Sequence, residues 1–408
     1  MTDTPLSLRR RQLLAGSAGA IAGAGLVGLA GEASAQAAQP ASATAGAKPL
    51  PAYVAWKDAG AMIVHNPNEL ETKRSAFGTS GITSSDHLYV RNNVTPPDPS
   101  ILADRGAWQV AVEGVRNPRT LTVNDLKTIG VETTASVLQC SGNGRAFFPH
   151  KPSGAKWTVG ASGCVLWSGV PVRYVVESLG GAAPNMRYLT GTGGETFPAG
   201  IDPLTVMVER SLPIEALNDA LLAWEMNGEP LPLAHGGPLR LIVPGYQGVN
   251  NVKYVKRVAL TAAESPASIQ KTRYRLNAIG TKATPADPSV LAMTVKSFVT
   301  SPSGGEPVHA GVVYVTGVAF GGGSPIKRVE VSSDGGRNWV DAPFIGPDLG
   351  RFAWRQFAVP LRMAPGNYVL TSRATDAAGH VQPEVRSENA AGYANTSWAD
   401  HAVKVAVA

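Results

Sequence analysis

The residue of this 408-residue sequence best suited to chemistry is Cys140, which lies in the segment 138–145, Leu-Gln-Cys-Ser-Gly-Asn-Gly-Arg. An apolar strand end precedes the thiol, small and glycine residues follow it, and Arg145 stands five positions later. Such an environment exposes the sulfur and stabilises its thiolate form. A thiolate is the soft ligand that a heavy-metal centre requires. The segment therefore predicts a metal-binding cysteine.

The second of the two cysteines, Cys164, has a different environment. It lies among apolar residues in the segment 163–167, which predicts a small buried hydrophobic side chain. A disulfide between Cys140 and Cys164 is the alternative, because paired cysteines are the rule in exported proteins. If the two cysteines are joined, the chain is predicted to be a non-catalytic binding protein without a metal.

The elements around Cys140 show mixed helix and strand patterns from residue 86 to residue 280. Residues 108–115 alternate like a half-buried strand, and residues 239–243 form an apolar run that ends at Pro-Gly. Residues 121–129 have the pattern of a short helix capped by Thr122 or Asn124. This region is predicted to be an α+β domain.

The chain from residue 288 to residue 408 has a different pattern, with strands only. Alternating segments at 312–318, 327–331 and 368–374 are separated by turns rich in glycine, proline and aspartate. The 45 glycines and 31 prolines of the chain also favour short strands and many turns. An all-β sandwich domain is predicted.

Composition excludes several classes of protein. With 44% hydrophobic and 16% charged residues, the chain can bury substantial cores and is not a disordered polyelectrolyte. The formal net charge of +6 is spread along the chain, and no run of Lys and Arg is interleaved with aromatic residues. We therefore expect no nucleic-acid partner and favour a small anion.

The N-terminal segment 1–35 predicts the location of the protein. Consecutive arginines at positions 9–11 precede an apolar stretch rich in glycine and alanine, which ends in the small-residue cleavage pattern Ala-Ser-Ala at 33–35. This is typical of a twin-arginine export signal, so we expect a periplasmic protein with no membrane span after cleavage. A membrane anchor is the alternative, but the stretch is weakly hydrophobic for a span. Residues 36–85 are predicted to be a spacer and arm without periodicity, to which we assign no chemistry.

The segment 138–145 resembles the molybdenum-ligating cysteine segment of the sulfite oxidase family, and further segments agree with that family in the same order. Residues 89–93 resemble its aromatic-x-Arg-Asn-His element, although Asn93 stands where many members have His. Residues 223–245 and 251–253 are similar to its pterin-binding stretch. The resemblance implies an α+β fold: a mixed α/β molybdopterin-binding domain at 86–280, followed by an immunoglobulin-like dimerisation domain at 288–408.

The resemblance also implies site residues. Cys140 would be the protein ligand of molybdenum in a molybdenum–molybdopterin cofactor. The cofactor-binding residues would be Tyr89, Arg91, Asn92, Asn93, Cys140, His235, Arg240, Asn251, Val252 and Lys253. The substrate would meet Arg91, Arg145 and Tyr274, with Arg355 supplied by the second domain. Arg351 is the alternative to Arg355, and a surface position is the alternative for both. The acidic residue expected after residues 190–192 is missing, and only Glu195 is nearby.

The activity implied by this resemblance is oxidation of sulfite to sulfate by oxygen-atom transfer. Because the sequence has no haem-attachment motif, the expected electron acceptor is an external c-type cytochrome. A homodimer formed through the sandwich is also expected. Two alternatives stay open, a sulfane dehydrogenase acting on carrier-bound sulfur and the non-catalytic exported binding protein. Methionine sulfoxide reductases of this type lack a C-terminal sandwich, which argues against them.

Overall fold

A small antiparallel sheet opens the part of the chain described by the computed structural model, which covers residues 48–408. The predicted export signal and the beginning of the predicted spacer lie outside the described residues. The sheet has the strand order β1–β2–β3. Its strands are β1 (Met62–Asn66), β2 (Glu69–Thr72) and β3 (Val90–Arg91). These strands have no more than five residues each, which explains why no periodicity was visible in residues 36–85.

Glu71 ties this sheet to the next domain. Its carboxylate is fully buried and accepts hydrogen bonds from the backbone N–H groups of Thr158 (2.8 Å) and Gly160 (3.0 Å). The other carboxylate oxygen lies 2.7 Å from Nε2 of His65. A buried carboxylate is tolerated only with such partners. These hydrogen bonds therefore join the small sheet to the domain that contains Cys140.

The domain that contains Cys140 consists of two five-stranded sheets and short helices. The strands are β4 (Gln109–Glu113), β5 (Arg119–Thr122), β6 (Glu132–Gln139), β7 (Ser162–Pro171), β8 (Tyr188–Gly193), β9 (Glu209–Pro213), β10 (Leu221–Met226), β11 (Glu229–Pro230), β12 (Arg240–Ile242) and β13 (Val255–Thr261). The helices are α1 (Val123–Ile129), α2 (Val172–Ser178), α3 (Pro203–Val206) and α4 (Ser268–Lys271). One sheet has the order β11–β10–β7–β6, with β12 also paired to β10, and the other has the order β5–β4–β13–β8–β9. The main core combines apolar residues of both sheets with α1 and α2.

Helix α1 confirms the predicted helix and selects Thr122 as its cap. The Thr122 hydroxyl accepts a hydrogen bond from the N–H of Asp125, and the Asp125 carboxylate accepts one from the N–H of Thr122. This reciprocal capping box satisfies two N–H groups of the first turn. The helix begins two residues later than predicted, because Leu121 belongs to β5, where it pairs with Val110.

The C-terminal part is the predicted all-β sandwich of two four-stranded sheets. Its strands are β14 (Lys296–Ser301), β15 (Gly311–Phe320), β16 (Ile326–Ser332), β17 (Val340–Asp341), β18 (Phe344–Ile345), β19 (Arg355–Met363), β20 (Gly366–Asp376) and β21 (Val403–Val407). The sheets have the orders β14–β15–β19–β18 and β17–β16–β20–β21, and they enclose their own apolar core. No helix within residues 48–408 has the length and apolarity needed to cross a membrane.

The two domains are joined beneath the strand that leads to Cys140. A shared apolar cluster includes Val137 of β6, Cys164 of β7 and Trp354 of the second domain. The N–H of Val137 donates to the carbonyl of Phe352 (2.9 Å), and Trp354 Nε1 donates to the carbonyl of Gly81 (2.8 Å). The position of β6 therefore depends on both domains.

We predict that Gly160→Ala destabilises the protein. A Cβ at this position would lie 1.8 Å from the Thr72 carbonyl oxygen and 2.7 Å from Cγ of Glu71, so the backbone would have to shift. The expected loss in the free energy of unfolding, measured by urea titration, is about 1–3 kcal/mol. Gly323→Ala is the control, because no atom lies within 4 Å of its added Cβ. Equal stability of the two variants would contradict the prediction.

Candidate functional site

A tight loop presents Cys140 at the end of β6. The Cys140 N–H donates to the carbonyl of Ala161 (2.8 Å). Asn143, which is 1% exposed, accepts from the Ala161 N–H (3.2 Å) and donates to Oε1 of Gln139 (3.1 Å). The buried side-chain amide of Asn143 thus supplies hydrogen bonds at the point where the backbone pairing of β6 with β7 ends. The half-buried Cys140 thiol is held on a rigid loop.

Arg145 closes this loop. Its Nε donates to the carbonyl of Ala391 (2.9 Å) and its Nη1 to the carbonyl of Ala155 (3.2 Å). A Cβ on Gly142 would lie 2.5 Å from this guanidinium, so the glycine makes room for the arginine to fold over the loop. A residue without a side chain is therefore required at position 142, two residues after Cys140.

Both cysteines are free thiols. Cys164 is fully buried in the cluster between the domains, and burial raises its pKa to about 12. It is the small buried hydrophobic residue that its neighbours predicted. The disulfide alternative, and with it the basis for a non-catalytic binding protein, is not supported.

A cleft opens beside Cys140. The predicted residues that line it are Tyr89, Arg91, Asn92, Asn93, Cys140, His235, Arg240, Asn251, Lys253 and Tyr274. An adjoining cavity shares Arg91, Cys140 and Tyr274 and adds Arg145. The structure thus brings together side chains that are more than 180 positions apart in the sequence.

The deep part of the cleft concentrates positive charge. Lys253 is buried and donates to Oδ1 of Asn92 (2.7 Å) and to the carbonyl of Ala234. Burial, reinforced by the charges of Arg240 and Arg91, holds the pKa of Lys253 well below its usual value. Arg240 donates to the carbonyl of His235 (2.8 Å), and burial lowers its pKa to about 10. An anionic ligand would relieve the desolvation of these cations.

Several buried polar atoms in the cleft wall point to a polar ligand. Within residues 48–408, Ser141 Oγ, Glu195 Oε2 and His235 Nε2 have no hydrogen-bond partner. All three residues line the cleft. Burial lowers the pKa of His235 well below its usual value, and the nearby Lys57 and Lys253 add to this, so its imidazole is neutral. Buried polar atoms are seldom left unpaired, so a ligand with donors and acceptors fits this wall.

Glu195 supplies a carboxyl group to the cleft, although it does not stand where the family resemblance placed an acidic residue. It lies just beyond β8, and burial raises its pKa to about 7.

Sequence reasoning also missed Tyr393 of the second domain. Its ring stacks on Tyr274, with centroids 5.0 Å apart and an interplanar angle of 12°. The guanidinium carbon of Arg145 lies 5.2 Å from the Tyr393 ring centroid. The side chain of Asn389 bonds both the N–H and the carbonyl of Tyr393, at 2.9 Å each. No local pattern marks this tyrosine, because only the packing of the two domains brings it to the cavity.

Arg355, which was predicted to reach the substrate, does not line the cavity. It begins β19, where its Nη1 pairs with Asp348 (2.8 Å) and its guanidinium lies over the ring of Phe344 (4.4 Å). Among the described residues, those of the second domain that reach the cavity are Ala391 and Tyr393, and neither is charged.

Val252 was also predicted to contact the cofactor, but its side chain is 1% exposed and packs in the main core. Its neighbours Asn251 and Lys253 line the cleft. The Val252 side chain therefore lies behind the wall that its two neighbours help to form.

Comparisons with known proteins define the class. Residues 96–269 match the model of the oxidoreductase molybdopterin-binding domain, and residues 287–407 match that of the Mo-co oxidoreductase dimerisation domain. The protein is thus an oxidoreductase with a molybdopterin-binding domain followed by a dimerisation domain.

Individual proteins similar to this chain identify the family within this class. The chain is 31% identical to the sulfite oxidase of Arabidopsis thaliana, over 81% of this chain and 90% of that protein. It is 30% identical to the mitochondrial sulfite oxidase of Homo sapiens, of which it spans 62%. The crystal structure of the sulfane dehydrogenase SoxCD from Paracoccus pantotrophus superimposes with a TM-score of 0.70 at 26% identity, over 85% of this chain and 88% of that one. The chain belongs to the sulfite oxidase family, and its cofactor is molybdenum–molybdopterin.

The cleft fits this cofactor. The Cys140 thiol stands at the junction of the two cavities, where it can supply a protein sulfur to the metal. The buried cations Arg240 and Lys253 suit the phosphate, since phosphate prefers such partners. The unpaired atoms of His235 and Glu195 suit the hydrogen-bonding groups of a pterin.

We predict that Glu195 makes the cofactor-free protein less stable as the pH rises. Its pKa is raised from 4.5 to about 7, so the native state retains a proton that the unfolded chain loses between these values. Stability must then fall through this range. Glu195→Gln has no carboxyl group to titrate at this position. The difference between its free energy of unfolding and that of wild type should therefore rise by about 2 kcal/mol, in favour of the variant, between about pH 5 and about pH 8.

Urea titration of the cofactor-free proteins at both pH values measures this difference. Glu229→Gln, which removes an exposed carboxylate, is the control. A constant difference between Glu195→Gln and wild type would show that Glu195 titrates normally.

Proposed function

We propose that this protein oxidises sulfite to sulfate by oxygen-atom transfer and passes the electrons to an external c-type cytochrome. The observation that supports this is the placement of Arg91, Arg145 and Tyr274 around the cavity into which Cys140 faces. Sulfite carries about one to two negative charges near neutral pH, so paired arginines both attract it and offset its charge. The likeness to sulfite oxidases supports the same reaction.

The residues of the chain have distinct roles in this proposal. The bound cofactor supplies the oxygen-atom and electron transfer. Cys140 holds the metal through its sulfur, and the cations around Lys253 hold the phosphate. Arg91 and Arg145 orient the anion, and the stacked Tyr274 and Tyr393 form part of the same cavity wall and limit its size. Because Arg145 is fixed by two backbone carbonyls, its charge is preorganised and needs little rearrangement when the anion enters.

A second candidate substrate is sulfane sulfur attached to a carrier. It is favoured by the structural likeness to the sulfane dehydrogenase SoxCD. The wall contributed by the second domain is also uncharged, since it consists of Ala391 and Tyr393.

The export pattern at residues 1–35 supports a periplasmic location, and the match to a dimerisation domain supports a homodimer. Both are part of the proposal.

Cys140→Ser should abolish sulfite oxidation. The hydroxyl is nearly isosteric with the thiol but is a poor ligand for a soft metal. The loss in turnover should exceed the ~10–100-fold that removal of an outer partner of a metal ligand costs. Cys164→Ala is the matched control and should retain activity, because Cys164 is buried away from the cleft. Near wild-type turnover in Cys140→Ser would remove this residue from the site.

Stopped-flow mixing tests the substrate and the acceptor together. Enzyme reduced by sulfite should reduce cytochrome c rapidly, at a rate that changes with ionic strength, because charge steers transient encounters. Reduction of cytochrome c by carrier-bound persulfide but not by sulfite would select the second candidate. Rapid reoxidation by oxygen with cytochrome c ignored would overturn the proposed acceptor.

A further inference from the structure

Residues 48–61 are a part of the predicted spacer and arm, and only this part is called the arm from here on. It lies behind the cofactor cleft. It precedes the match to the molybdopterin-binding domain, which begins at residue 96. Three of its side chains, Tyr53, Trp56 and Lys57, each contact a part of the cleft wall from the outside. None of the three lines the cleft itself.

Tyr53 completes a chain of hydrogen bonds that ends at the buried lysine. Asn92 Nδ2 donates to the Tyr53 hydroxyl (3.1 Å), and Asn92 Oδ1 accepts from Lys253 Nζ (2.7 Å). The Tyr53 hydroxyl itself donates to the carbonyl of Pro67 (2.9 Å). Tyr53 therefore fixes which end of the Asn92 amide faces the lysine.

Trp56 supports the neutral histidine of the wall. Its ring meets the His235 ring edge to face, with centroids 6.0 Å apart and an interplanar angle of 73°. Val54 of the arm and Ala234 are both fully buried in one apolar cluster. The arm thus holds the short turn that carries His235, whose Nε2 has no partner in the described chain.

Lys57 fastens the arm to the segment that ends at Tyr89. Its Nζ donates to the carbonyls of Ser85 (2.8 Å) and Leu88 (2.7 Å). Lys57 is 4% exposed, so its ammonium group gives up most of its hydration for these bonds. Leu88 directly precedes Tyr89, which lines the cleft.

We propose that the arm is a backing layer of the cofactor site. Tyr53, Trp56 and Lys57 are positioning residues that hold Asn92, His235 and Tyr89 in the orientation that molybdopterin requires. A wall fixed in advance binds more tightly, because the ligand does not have to order it. Partners of this kind, one layer behind the binding groups, commonly change metal affinity by ~10–100-fold. The arm therefore slows release of the cofactor.

The test measures retention of the cofactor and so does not depend on the substrate. Loaded wild-type enzyme and the variants Tyr53→Phe and Trp56→Ala are held at a raised temperature and separated from released small molecules at intervals. Molybdenum per protein is then measured by plasma mass spectrometry, and released pterin by fluorescence. Tyr53→Phe should release both roughly threefold to tenfold faster, since it removes one hydrogen-bond acceptor.

Tyr368→Phe is the matched control, because it removes a tyrosine hydroxyl that donates to a backbone carbonyl (3.0 Å) in the second domain. It should release the cofactor at the wild-type rate. Trp56→Phe keeps an aromatic edge at His235 and should restore slow release relative to Trp56→Ala.

Thermal unfolding of the cofactor-free proteins separates positioning from general stability. The proposal expects Tyr53→Phe and Tyr368→Phe to unfold at similar temperatures. Wild-type release rates in both arm variants would overturn the proposal. Faster release that merely follows a lower unfolding temperature of the cofactor-free Tyr53→Phe protein would also overturn it.

Discussion

Buried positive charge around one thiol is the constraint on which the rest of this structure depends. Arg91, Arg240 and Lys253 line a single cleft, and the carboxylates near them are few. Each cation gives up hydration on folding, and their mutual repulsion adds to that cost. An anionic cofactor offsets both terms, which couples the stability of the site to its occupant.

Several separate elements are needed to bring these cations together. Arg91 ends the small N-terminal sheet, Arg240 begins β12, and Lys253 precedes β13. Backbone carbonyls direct the donors of Arg240, and the Asn92 amide directs Lys253, so neither charge is neutralised by its partner. Arg91 lies 3.9 Å from the Glu69 carboxylate. The arm and the small sheet are consequently part of the cofactor site, although the domain that carries the thiol lies beyond them in sequence.

The second domain has a comparable structural role at the thiol. The N–H of Ala394 donates to the carbonyl of Ser141 (2.9 Å), and Asn395 Nδ2 donates to the carbonyl of Gly144 (3.0 Å). Together with the bond from Arg145 to Ala391, these contacts clamp the Cys140 loop between the domains. The sandwich therefore shapes the substrate cavity in addition to any role in pairing two copies.

What the sequence determined by itself was local or depended on an ordered set of motifs. The alternation of β15 and β20 and the capped helix α1 follow from side-chain periodicity and short-range hydrogen bonds, so each was visible in a few residues, although the structure decided between Thr122 and Asn124 as the cap. The family followed from the order of several segments, as did the set of residues that meets at the cleft. Tertiary structure alone decided three further matters: that Arg355 forms a surface pair, that Glu195 turns inward, and that Tyr393 stacks on Tyr274. Arg355 pairs with Asp348 only seven positions away, but that pair depends on the conformation of the connecting loop. The positions of Glu195 and Tyr393 depend on contacts between residues distant in sequence, and such contacts leave no local periodicity to be read.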